Sequence, residues 1–141
     1  GIYNYDKKNN QWIYMENNTT KKSSNKSKIK TQIYSGGIFA TLNEKISPLI
    51  TNISPSSGSK YKSNDLNEIS FKTIDEHSKI NYETIVVKID DISLIYEYIP
   101  YRDLIRCHIN KKLKPGNHTF YIFVEDKLGN SISKKGQFKI E

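Results

Sequence analysis

Between Pro115 and Asn130 the chain alternates with a period of two. Phe120, Ile122 and Val124 fall on one side of an extended strand, and Thr119, Tyr121, Phe123 and Glu125 fall on the other. Turn residues close the run at both ends. Pro115-Gly116-Asn117 precedes it, with proline setting φ near about −65° and glycine accepting positive φ. Asp126-Lys127-Leu128-Gly129-Asn130 follows: Asp126 can accept backbone N–H groups across the turn, while Gly129 and Asn130 tolerate left-handed backbone. Apolar side chains on both faces mark a central strand whose second face is partly covered. A chain organised this way cannot be helical here.

The same grammar recurs along the chain. Thr84–Ile89 and Ile92–Tyr96 flank Asp90-Asp91, two turn residues between β-branched runs, which is a hairpin signal. Leu49–Ile53, Leu66–Ile74, Leu104–Asn110 and Gln137–Ile140 read as further strands. They are separated by Ser54-Pro55-Ser56-Ser57-Gly58, the polar Asp75–Asn81 stretch and the Tyr98–Asp103 turn. Strands at about ten-residue spacing predict a β-sandwich. Ahead of them lie short aromatic strands, Ile2–Tyr5 and Gln11–Met15, then a polar loop from Asn17 to Ser27. Ile29–Tyr34, a Gly36-Gly37 break and Ile38–Leu42 complete the front segment. The expectation is an all-β chain: a short antiparallel β-meander over residues 1–44, the tail of a preceding β-domain, then an immunoglobulin-like sandwich over 45–141. Asn43 to Pro48 is the linker. Opening at Gly1-Ile2-Tyr3 without methionine, the chain reads as an excised fragment or a mature product.

Composition agrees and narrows the function classes. Only 35% of residues are hydrophobic, with Tyr and Ile prominent and one Met, which disfavours a helical core. No apolar run approaches the roughly 18 residues of a membrane span, and the chain opens on no signal-peptide pattern. The single Cys107 excludes an internal disulfide; alternation places it with Ile105 and Ile109, as a buried small hydrophobe. The formal charge of +7 raises the question of nucleic acid. Yet Lys21, Lys22, Lys26, Lys28 and Lys30 crowd one polar stretch without arginine or aromatics, and elsewhere acids and bases interleave. That pattern is a solvated loop rather than a nucleic-acid surface.

The pattern L-x-P-G-x-H-T-x-x-x-x-V-x-D-x-x-G-N, carried by Leu113, Pro115, Gly116, His118, Thr119, Val124, Asp126, Gly129 and Asn130, resembles the penultimate strand of bacterial immunoglobulin-like and fibronectin-type-III-like modules. The order Ile2-Tyr3-Asn4-Tyr5-Asp6, Trp12, Gly37-Ile38-Phe39-Ala40 and a proline-containing linker is similar to accessory C-terminal regions of bacterial exported proteins. Some lysostaphin-like zinc metallopeptidases that cut peptidoglycan are among these. The resemblance implies an accessory or spacer module in a secreted or cell-envelope protein. Its partners would be neighbouring domains of the same polypeptide, and cell-wall polymer or another protein.

The residues themselves assemble no reaction centre. The H-x-x-x-D and H-x-H motifs of those peptidases are missing, and His77, His108 and His118 are each isolated. His108 faces away from Cys107, so the two do not form a nucleophile pair. The expectation is therefore a non-enzyme without cofactor, any catalytic domain lying outside this chain. Calcium is the one metal with candidate ligands: Asp90 and Asp91 on one hairpin, Glu125, Asp126 and Asn130 on another, if those turns share an end of the sandwich. Turn chemistry alone accounts for the same residues. Tyr3, Tyr5, Trp12 and Tyr14 are the candidates for a glycan-stacking face, the basis of an alternative role in binding cell-wall glycan or a host surface. Tyr96, Tyr98 and Tyr101 form a second aromatic group. Core packing is the competing use of all these rings.

Overall fold

The computed structural model describes residues 1–16, 18–24 and 26–141, without the side chains of Thr20, Lys22 and Ser27. The chain divides into two compact units: Gly1–Ile46 with Glu76–Lys79, and Ser47–Asp75 with Ile80–Glu141. Both are built of strands; among the described residues the helical segments are single 3-10 turns at Tyr82–Thr84 and Pro100–Arg102. None is long and apolar enough to cross a membrane.

In the first unit β1 (Ile2–Asp6) pairs antiparallel with β2 (Gln11–Tyr14) on one side and β5 (Phe39–Thr41) on the other. The β1–β2 turn is fixed by Asp6, whose carboxylate accepts the Lys8 N–H at 2.9 Å and the Asn9 side-chain amide at 2.7 Å. Asn10 closes it at φ 54°. The stretch expected as a polar loop instead contains a hairpin, β3 (Thr19–Ser23) against β4 (Lys26–Lys30); Asn17 and Asn25 of that stretch lie outside the described residues. Apart from Ile29 its residues are polar, so no hydrophobic alternation announces its strands. The strand expected at Ile29–Tyr34 is displaced accordingly: β4 ends at Lys30, and Tyr34 is 82% exposed.

The second unit is a two-sheet sandwich. Its strands are β6 (Leu49–Ser54), β7 (Lys60–Tyr61), β8 (Glu68–Ile74), β9 (Val86–Ile89), β10 (Ile92–Leu94), β11 (Tyr96–Ile99), β12 (Leu104–His108), β13 (Gly116–Glu125) and β14 (Ser131–Ile140). One sheet runs β10-β9-β13-β14-β7, the other β11-β12-β8-β6. All pairings are antiparallel except β14 with β7. Ile69, Phe71, Ile105 and Cys107 of the four-stranded sheet share one core with Val87, Ile89, Phe120, Ile122, Val124, Phe138 and Ile140 of the other. These alternate residues point inward because side chains on a strand repeat every two positions.

Within the sandwich, β13 is the middle strand of its sheet, as its two-sided apolar character implies. The run Ile92–Tyr96 is not one strand: the chain leaves β10 at Leu94 and enters the opposite sheet as β11 at Tyr96, exposing 86% of Ile95 at the crossing. The stretch from Tyr98, expected as a turn, begins within β11, the turn proper being Pro100–Arg102 with Asp103 left-handed at φ 49°.

Candidate functional site

The two acidic turns lie at opposite ends of β13. Asp90 takes the left-handed position of the β9–β10 hairpin, at φ 52°. One carboxylate oxygen accepts the Thr119 N–H at 2.9 Å and faces the Thr119 hydroxyl at 3.3 Å; the other meets His118 Nδ1 at 2.9 Å. His118 Nε2 lies 2.8 Å from the Lys114 carbonyl oxygen, and its ring stacks on Phe138 at 5.5 Å. Burial works against charge on both partners. It is outweighed at His118 by the Lys114 carbonyl and the Asp90 carboxylate, which raise the imidazole pKa. At Asp90 the Thr119 N–H and His118 outweigh it and lower the carboxyl pKa. The result ties the β9–β10 hairpin to the start of β13.

Asp126 braces its own turn at the far end, and it is 1% exposed. Oδ1 accepts the N–H groups of Leu128 and Asn130, both at 2.8 Å, and Oδ2 accepts the Asn130 side-chain amide at 2.6 Å. Gly129 sits in the turn at φ 94°. Asp90 is bound to Thr119 and Asp126 lies seven residues further along, so the two carboxylates are about 23 Å apart at the usual rise per residue. Asp90 and Asp91 therefore do not meet Glu125, Asp126 and Asn130, and the shared end that one calcium ion would need is not formed. Among the described residues no three His, Cys, Asp or Glu side chains are grouped for a metal.

Cys107 is fully buried, and burial, helped by Glu68, pushes its thiol up to about 12, so it packs as a small hydrophobe. His108 lies on the exposed side of the same strand.

The four front aromatics do fall on one face of their sheet: Tyr3 is opposite Tyr14, and Tyr5 opposite Trp12. They divide by burial. Tyr3 and Tyr14, 3% and 6% exposed, pack edge-to-face at 5.4 Å as core. Trp12 is 39% exposed, with Tyr5 tilted against it at 5.0 Å. Beside Trp12 opens a cleft of about 870 Å³ edged by Gln11, Asn43 and Glu76, polar groups the sequence had not singled out. In the sandwich, Tyr98 stacks on Tyr82 at 4.0 Å and the Tyr96 hydroxyl donates to the Tyr82 carbonyl, while Tyr101 is 80% exposed. Burial and the bond to Tyr98 raise the Tyr82 pKa.

The second unit is thus a small immunoglobulin-like β-sandwich whose acids and histidine lock its turns. No protein-family model matches the sequence, and no curated protein is significantly similar to it. Among solved structures, CopC from Methylosinus trichosporium OB3b superposes with a TM-score of 0.54 at 11% identity, over 67% of this chain and 93% of that one. The endo-beta-1,4-mannanase from Thermotoga petrophila matches at 0.54 and 14% identity, over 70% of this chain but 20% of its own. At such identities the likeness is one of fold.

Proposed function

We propose that the chain is a non-catalytic accessory module of a larger bacterial exported or cell-envelope protein, positioning, stabilising or tethering a partner domain. The observation that carries this reading is the use made of the polar residues. Asp90, His118 and Asp126, which the sequence gathers around one strand, act on the backbone of the turns at its two ends. A group held by two or three hydrogen bonds to its own fold is poorly placed to act on a substrate. The exported setting is supported by the likeness of Leu113–Asn130 to bacterial immunoglobulin-like modules. A place C-terminal to a peptidoglycan-cleaving metallopeptidase rests on the separate resemblance of the front segment, Ile2–Asp6, Trp12 and Gly37–Ala40, to accessory regions of such enzymes.

Incubating the chain with purified peptidoglycan and with soluble polysaccharides tests the reading: no new reducing ends or free amines are expected. Their time-dependent release would overturn it. Direct recognition of cell-wall glycan or a host surface is a second reading, favoured by Trp12 at the mouth of its cleft. Co-sedimentation with peptidoglycan that is lost on Trp12→Ala would establish it.

A further inference from the structure

The outer face of the five-stranded sheet carries a charge arrangement that the sequence does not display. Register aligns Lys88 of β9 with Tyr121 of β13, and Tyr121 with Lys135 of β14, so the three side chains form one row. Strand spacing puts the two lysine backbones about 10 Å apart with the phenol between them. The Lys135 ammonium is held 5.5 Å from the Tyr121 ring centre, a cation–π distance. Further along the same face, Lys60 and Lys139 share the Glu141 carboxylate, at 3.7 and 3.8 Å. Lys88 and Lys135 have no carboxylate at ion-pair distance among the described residues.

These two cations open onto a cleft of about 950 Å³. One row along lie Thr119 and Gln137, paired across β13 and β14 and both exposed, offering a hydroxyl and an amide to the same space. The Asp90–Asp91 turn borders it, with Asp90 held by His118 and Thr119. The volume far exceeds that of a bare ion, a water molecule taking about 30 Å³. A continuous phosphate backbone is disfavoured, because the cations are confined to one row and carboxylates border the next. The chemistry that fits is one anionic group on a body rich in hydroxyls.

We propose that this cleft binds an acidic sugar residue. Its carboxylate or phosphate lies between the ammonium groups of Lys88 and Lys135, its ring against Tyr121, and its hydroxyls toward Thr119 and Gln137. The site goes beyond the accessory-module reading, which is tested by bond cleavage and survives if no sugar binds.

Amide-resolved NMR titration tests the proposal, with glucuronate and glucose 6-phosphate as probes and glucose and inorganic phosphate as controls. Saturable shifts at Lys88, Tyr121, Lys135 and Gln137 are expected with at least one acidic sugar, and the responding probe tells carboxylate from phosphate. Glucose should leave these amides unmoved. Lys88→Gln and Lys135→Gln should each weaken binding about tenfold, as for a lost charge-assisted hydrogen bond, with the rest of the spectrum unchanged. Lys60→Gln should have no effect. No shift with either acidic sugar up to about 10 mM would overturn the proposal. So would inorganic phosphate matching the sugars, or binding that survives both substitutions together.

Discussion

At the scale of single residues, the pairing of His118 with Asp90 makes a quantitative demand. Both imidazole nitrogens face acceptors, the Asp90 carboxylate and the Lys114 carbonyl, and only the protonated ring donates from both. Folding raises the His118 pKa above its ordinary 6.5, so its contribution is fully present below that value and is lost as pH rises through the folded pKa. Asp90 has the opposite sign: its pKa is lowered from 3.8, and its contribution is present above that value and lost as pH falls through the folded pKa. The knot is strongest between these limits. The Asp90 carboxylate is 46% exposed, so the ion pair itself is worth under about 1 kcal/mol. Thermal melts of the native chain and His118→Gln should differ more at pH 5 than at pH 8; an equal gap at both would remove the charged knot. That Asp90 and Asp126 serve turns was legible in the sequence, since aspartate between strands is a local signal. That Asp90 would reach His118 was not, because 28 positions separate them.

At the scale of elements, β13 and β14 meet at Gly136 with no room for a side chain. It faces Phe120 across the ladder, and a Cβ there would stand 2.3 Å from the Phe120 ring and 3.1 Å from the Ser57 Cβ. The ring folds over the glycine, so the space is already taken. Gly136→Ala should cost about 1–3 kcal/mol in urea unfolding, the usual range for overpacking. Adding Phe120→Leu should recover part of the loss, seen as coupling in the double-mutant cycle. Additive costs would show that the two residues do not collide. Nothing local in Lys135-Gly136-Gln137 marks this contact. The β3–β4 hairpin escapes sequence reading for a related reason: apart from Ile29 its residues are polar, so no apolar alternation marks its register, although pairing sets Lys21 directly opposite Lys28.

At the scale of the whole molecule, the separation of the two acidic turns along β13 bears on the five calcium candidates, Asp90, Asp91, Glu125, Asp126 and Asn130. Calcium at about 5 mM, above the roughly millimolar dissociation constants of weak extracellular calcium modules, should leave the melting midpoint unchanged. A rise would require a site that these carboxylates do not share. The all-β class, the central place of β13, the burial of Cys107 and the turns at Asp90 and Asp126 follow from the sequence alone. They rest on alternation and turn chemistry, whose energies are set by neighbours a few residues away. The tertiary structure alone decides which strands distant in the chain are neighbours. It moves the chain between sheets at Ile95, splits the front aromatics into core and rim, and holds the acids of two turns apart. It also aligns Lys88, Tyr121 and Lys135 in one row. Strand pairing joins residues distant along the chain, and its register is set by the shared core rather than by any local preference.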